Sequence, residues 1–258
     1  TLFPYTTLFR SNALIFAAGL GTRLGVFTKD TPKALVEVCG KPMLEHQLLH
    51  LKKAGANVVV INVHHFADRI ADFILKNNSF GMDIRISDES DMLLDTGGGL
   101  RKALPLFDND KPVLLHNADI FSSIDLKRLY NSHIEMQNDV TMVVADRDTT
   151  RKLYFNENGI LKGWRNSVDG KERSIFADFN YLKCKPFAFQ GVHVVSQTVL
   201  KYLNMVTEEK FGITGFYVDY ADRLQISAME DPNPSCWVDA GKPEMLSKAA
   251  DIVSAYYQ

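Results

Sequence analysis

Two short segments carry residues suited to phosphate chemistry: Phe16-Ala17-Ala18-Gly19-Leu20-Gly21-Thr22-Arg23-Leu24, and Thr31-Pro32-Lys33-Ala34-Leu35 behind it. Residues 13–17 are apolar and predict a buried strand. The small residues that follow, Ala18, Gly19, Gly21 and Thr22, let backbone N–H groups approach the phosphates of a nucleotide with no side chain in the way. Arg23 can grip two phosphate oxygens through paired donors, and Lys33 adds a compact positive charge. The chemistry such a site suits is nucleotidyl transfer, with Arg23 and Lys33 as catalytic cations and Ala18, Gly19, Gly21, Thr22 and Arg23 on the nucleotide. No Gly-Lys-Ser/Thr closes a P-loop and no third glycine completes a dinucleotide fingerprint, which argues against kinase-like ATP use and NAD binding. On these residues alone, a strand-to-loop turn with two solvated cations stays open.

A second group ends an apolar strand. His116-Asn117-Ala118-Asp119 stands at its carboxyl end, where ligands collect in open α/β sheets. Asp119 is the first candidate metal ligand and Asn117 a candidate partner for a sugar hydroxyl; an aspartate there can also simply cap a turn. Leu94-Asp95-Thr96-Gly97-Gly98-Gly99 predicts a glycine loop leading into a short helix, where a ring or phosphate can press on the main chain. The adjacent histidines His64-His65 point to opposite faces if they lie on a strand, so a shared metal ion is disfavoured. No local motif supports Ser/His/Asp or Cys/His catalysis.

These groups must be held by an α/β framework. The 258-residue chain is 46% hydrophobic, enough for one large α/β domain. A formal net charge of −2 with interspersed signs argues against a nucleic-acid partner, and no apolar run approaches the roughly 20 residues needed to cross a membrane. Cys39, Cys184 and Cys236 lie far apart without zinc spacing, which fits a reducing, cytoplasmic setting. Residues 1–11 read as a non-native leader ahead of a single domain at 12–258. Within it, 12–146 form the nucleotide-binding part and 147–258 the sugar-binding part and closing helix.

Branched-residue strands at 13–17, 58–63, 83–87, 113–116 and 140–145 alternate with helical patterns at 43–54, 67–75, 100–104 and 124–130, a βαβ rhythm. Beyond residue 146 a hairpin is predicted, with strands at 153–155 and 160–164, then a strand at 187–195, a helix at 216–225, a short strand at 236–239 and a helix at 243–256. The fold expected is a Rossmann-like three-layer α/β fold with a mainly parallel central sheet and a small β-rich substrate-binding subdomain.

Gly-x-Gly-x-Arg followed by Thr-Pro-Lys-Ala-Leu resembles the signature of the sugar-1-phosphate nucleotidyltransferases. Val26 stands where that family usually has proline, and Ala118 where it has glycine in Asn-Gly-Asp. Trp237-Val238-Asp239-Ala240-Gly241 resembles the family's Trp-x-Asp-x-Gly-Thr segment, with Lys242 replacing the threonine. The resemblance implies a second metal-binding carboxylate at Asp239 beside Asp119, Mg2+ as cofactor, nucleotide contact by Thr96 and Gly97, and sugar contact by Gly98 and, from Phe189-Gln190-Gly191-Val192, Gly191. A further family lysine has no clear counterpart; Arg165, Lys171 and Lys185 are candidates. The resemblance is strongest to enzymes joining UTP and N-acetylmuramate 1-phosphate. Mannose- or heptose-1-phosphate guanylyl transfer, phosphocholine-type cytidylyl transfer and a catalytically idle regulatory module are the alternatives.

Overall fold

A computed structural model describes residues 11–108 and 111–257. Its elements, in order, are β1 (Ser11–Phe16), β2 (Glu37–Val38), β3 (Lys41–Pro42), α1 (Met43–Ala54), β4 (Ala56–Val63), α2 (Ala67–Lys76), β5 (Asp83–Asp88), α3 (Asp95–Ala103), β6 (Val113–Asn117), β7 (Ile120–Ser122) and α4 (Leu126–Glu135). The chain continues through β8 (Val140–Ala145), β9 (Arg151–Phe155), β10 (Leu161–Asn166), β11 (Glu172–Arg173), β12 (Lys185–Val195), α5 (Gln197–Leu203), α6 (Ile213–Asp219), β13 (Ile226–Glu230), β14 (Trp237–Asp239) and α7 (Leu246–Tyr256).

Among the described residues ten strands form one sheet. Its centre, β5-β4-β1-β6, is parallel, and the runs Val58–Ile61 and Val113–Leu115 are buried, as strands covered on both faces must be. The long β12 then runs antiparallel to β6, β8 and β9, so the same sheet passes from the first part of the chain into the β9–β10–β11 meander. Leu44, Leu48, Ile70 and Leu129 pack α1, α2 and α4 on one face. Leu100, Leu200, Phe216 and Tyr217 pack α3, α5 and α6 on the other. This is the three-layer α/β architecture expected.

Helix α1 ends at Gly55, whose φ of 97° lets its N–H reach back to Leu51 and Lys52 carbonyls, a left-handed cap suited to glycine. The Asp125 carboxylate accepts from Arg128 N at 2.9 Å and starts α4, later and longer than the pattern at 124–130 predicts. Several expectations shift. Ser11, assigned to a leader, is the first, buried residue of β1 and pairs with Ala56; residues 1–10 lie outside the described residues. The helix expected at 216–225 is α6 at Ile213–Asp219, and Ile226–Glu230 adds a parallel strand beside β8.

The histidines are mostly core groups. Burial pushes the imidazoles of His50 and His193 down to about 3 and those of His116 and His133 to about 4. An unfolded chain, with histidines near 6.5, binds protons there that the folded chain refuses, so their contribution is complete above pH 6.5 and is lost as pH falls. The urea midpoint is therefore expected to fall steadily from pH 6.5 towards 4; a flat midpoint over that window contradicts neutral burial.

Candidate active site

The loop after β1 is shaped by one glycine. Gly21 has φ +68°, and a Cβ there would lie 2.8 Å from Lys33 Cβ and 2.9 Å from Thr28 Cγ2, so a side chain would push the loop off the Lys33 segment. Gly19 is different: nothing lies within 4 Å of where its Cβ would stand. Among the described residues the amides of Ala18 and Gly19 donate no hydrogen bond, which leaves them facing an open cleft as unpaired donors. Thr22 opens the short 3-10 turn that carries Arg23, whose side chain is half exposed.

Behind the loop stands a buried pair that sequence reasoning missed. Asn62 Oδ1 accepts from Ala17 N at 2.7 Å, and Asn62 Nδ2 donates to Glu89 Oε1 at 2.8 Å. Glu89, fully buried, also accepts from Leu94 N at 3.0 Å. Through Asn62 and Leu94 the Glu89 side chain thus ties the ends of β1, β4 and β5 to the start of α3. Nothing local in the sequence marks either residue.

The two aspartates meet because of a three-residue strand. β14 pairs antiparallel with β7, setting Asp239 opposite Ile120, and Ala240 N donates to Asp119 O at 2.8 Å. Asp119 carries an ion pair with Lys33, and Asp239 Oδ2 accepts from Arg23 Nη2 at 3.2 Å. Gly241 N donates to Asp239 Oδ1 at 2.8 Å. A Cβ on Gly241 would meet Arg23 Nη2 at 2.6 Å, Asp239 Oδ1 at 2.7 Å and Lys33 Nζ at 3.0 Å, which shows how tightly these groups converge.

Burial pushes the Asp119 carboxyl up, against the pull of Lys33 and with Asp239 adding to the rise. Burial also raises Asp239, but the hydrogen bond with Asp119, the Gly241 amide and the charges of Arg23 and Lys33 outweigh it and hold that carboxyl below the usual range. Side by side, the two carboxyls are pushed in opposite directions, Asp119 up and Asp239 down, as neighbouring like charges are.

A cleft of about 380 Å³ opens beside Asp119, lined also by Ala18, Gly19, Lys33, Thr96 and Asn117, while Asp239 and Arg23 stand outside its lining. Lys210, a further cation that sequence reasoning missed, reaches the same cleft. Asn117 also backs Gly191: a Cβ at Gly191, which has φ +75°, would fall 2.8 Å from Asn117 Nδ2.

The glycines at 97–99 depart from expectation. They lie inside α3, buried, not in a loop. Gly97 and Gly98 donate their N–H groups to Phe211 O at 2.9 and 3.2 Å, and a Cβ on either would overlap the Phe211 ring or the Glu209 carbonyl. The segment over them occupies the surfaces assigned to a nucleotide at Gly97 and a sugar at Gly98, because the missing side chains let α3 and residues 209–211 touch backbone to backbone. Thr96 is bound up in the same contact, its Oγ1 accepting from Ile213 N at 2.9 Å, yet it still borders the cleft.

The candidate third cations are engaged elsewhere: Arg165 with Glu172, Lys171 with Asp169 and Lys185 with Glu230. Arg147 instead lies over the Trp237 ring at 3.9 Å, and Trp237 is anchored by its indole N–H to Gln190 O at 3.0 Å. His64 and His65 lie just beyond the end of β4, not on it; His64 Nδ1 lies 2.6 Å from Glu89 O while His65 packs against Phe66, so the two rings have separate partners. Among the described residues no group of three or more His, Cys, Asp or Glu is placed to hold a metal ion. Because Gly19 faces empty space, Gly19→Ala is expected to leave the melting temperature within a degree or two while raising the KM for the nucleotide by roughly tenfold, through collision with the ligand; thermal denaturation beside steady-state kinetics checks both halves.

Among known proteins, N-acetylmuramate alpha-1-phosphate uridylyltransferase of Caulobacter vibrioides is 35% identical over 188 residues, 70% of this chain and 74% of the relative. D-glycero-alpha-D-manno-heptose 1-phosphate guanylyltransferase of Campylobacter jejuni is 37% identical over 221 residues, 81% of this chain and 96% of that one. The solved inositol-1-phosphate CTP transferase from T. maritima shares the fold with a TM-score of 0.71, covering 95% of this chain and 96% of that chain at 16% identity. The nucleotidyl transferase family pattern spans residues 12–155, from β1 through the Gly19–Gly21 loop and Asp119 to the end of β9, and the chain belongs to that family.

Proposed function

We propose that the chain joins a nucleoside triphosphate to a sugar 1-phosphate, releasing pyrophosphate, with UTP and N-acetylmuramate 1-phosphate as the favoured pair. The observation that carries this reading is the meeting of Asp119 and Asp239 beside Lys33 and Arg23, with Asp119 and Lys33 lining a cleft that Ala18 and Gly19 also border. The Caulobacter relative supports the choice of base and sugar.

In this reading a phosphate oxygen of the sugar 1-phosphate attacks the α-phosphorus of UTP. The new O–P bond forms as the bond to the bridging oxygen breaks, and pyrophosphate leaves with that electron pair. The nucleophile is already anionic, so no protein base or covalent intermediate is required. The amides of Ala18 and Gly19 hold the triphosphate, Lys33 and Arg23 offset the charge gathering on its oxygens, and Asn117 and Gly191 border the sugar. Two adjoining carboxylates, with water and phosphate oxygens completing the shell, fit magnesium; Asp119 and Asp239 would hold that ion, which supplies Lewis-acid charge neutralisation. A cytoplasmic setting accords with three unbridged thiols.

Guanylyl transfer to a heptose 1-phosphate is the second reading, favoured by a match covering 96% of the Campylobacter relative. Pyrophosphate release across four NTPs and a panel of sugar 1-phosphates tests both. The expected result is highest kcat/KM for UTP with N-acetylmuramate 1-phosphate. Preference for GTP with a heptose 1-phosphate selects the second reading, and release with no pair rejects nucleotidyl transfer.

A further inference from the structure

A second cleft, also about 380 Å³, lies between the β9–β10 hairpin, β12 and α6. Three arginines line it, Arg147, Arg151 and Arg173, and among the described residues no aspartate or glutamate does. The arginines are not equivalent. Arg173 is clasped by the Asp219 carboxylate through both Nε and Nη2, so its charge is answered within the protein. Arg147 and Arg151 make no ion pair among the described residues. Arg151 opens β9 and is exposed. The Arg147 guanidinium is stacked on Trp237, two residues before Asp239, and its Nε is buried without a hydrogen-bond partner.

A buried, unpaired guanidinium N–H is costly, and its planar fork suits a carboxylate. Two links tie the cleft to the site already described. Arg147 feels the charge of Asp239, and Phe189 of the lining lies two residues before Gly191 on the same strand. Leu153, Phe189 and Val218 give it an apolar wall beside the arginines, suited to carbon atoms that carry a charged end.

We infer that Arg147 and Arg151 select a sugar 1-phosphate bearing a second anionic group, a carboxylate, which they hold while the 1-phosphate faces Asp119 and Asp239. The inference rests on the nucleotidyl-transfer reading and assigns its specificity. Neither residue belongs to a motif, and Arg165, Lys171 and Lys185, the cations singled out in the sequence, are paired elsewhere.

The test uses matched substrates in the pyrophosphate-release assay with UTP. N-acetylmuramate 1-phosphate and N-acetylglucosamine 1-phosphate differ by the ether-linked carboxylate; glucuronate 1-phosphate and glucose 1-phosphate differ by a carboxylate at the far end of the ring. The wild type is expected to favour the acidic member of one pair by at least about tenfold in kcat/KM, the size of a charge-assisted contact. Which pair responds tells where the carboxylate is carried. In Arg151→Gln that ratio should collapse towards one, chiefly through a higher KM for the acidic sugar, and Arg151→Lys should restore part of it.

Equal activity on both members of each pair overturns the inference and leaves nucleotidyl transfer standing, as does an Arg151→Gln ratio unchanged from wild type. Equal loss on acidic and neutral sugars in Arg147→Gln and Arg151→Gln likewise overturns it, since that pattern belongs to arginines that bind the 1-phosphate or support the fold. Absence of pyrophosphate with every sugar 1-phosphate rejects the underlying reading itself.

Discussion

Asp119→Asn lowers kcat for pyrophosphate release by about a thousandfold or more, the scale on which charge-stabilising groups act in transfer reactions, with little change in the melting temperature. Asparagine keeps the shape of the side chain, and the backbone link from Ala240 N to Asp119 O does not depend on the carboxylate. What it removes is the charge that pairs with Lys33 beside Asp239. Because the two carboxylates act on one object, Asp119→Asn/Asp239→Asn is expected to be scarcely worse than either single variant. Multiplicative losses would mean that the carboxylates work separately.

Gly98→Ala should fail for a different reason. A methyl group there runs into the Glu209 carbonyl and comes 3.0 Å from Leu94 Cβ, and backbone on that side cannot give way as a side-chain tip can. Overpacking of this kind costs about 1–3 kcal/mol and more where main chain is involved, so a fall in melting temperature of many degrees is expected even without substrate. The result separates two roles: an unchanged melting temperature with a raised KM for the sugar would return Gly98 to the sugar contact that family resemblance implies.

The parallel centre of the sheet was legible because Val58–Ile61 and Val113–Leu115 are continuous branched runs, and α1 because its apolar face and Gly55 stop agree. Arg23, Lys33, Asp119 and Asp239 could be singled out because each sits in a short pattern of its own. Their convergence could not, since it depends on β7 and β14, three residues each, too short for periodicity to register. The glycines at 97–99 misled for a physical reason. Glycine signals a turn locally, whereas here its use is the close approach of residues 209–211, far along the chain. Helix α6 begins three residues before the helix expected, at Ile213, where the Thr96 hydroxyl accepts its first N–H. Arg147, Asn62 and Glu89 carry no local signal at all, because each gains its meaning from a partner far along the chain.

The central claim, that Asp119 and Asp239 jointly bind one divalent cation at the reacting phosphates, is tested most directly by anomalous diffraction from crystals soaked with manganese and UTP. The prediction is a single peak within coordination distance of both carboxylates in the wild type, lost in Asp239→Asn. A peak held by one carboxylate alone, or one unaffected by that substitution, would contradict the account.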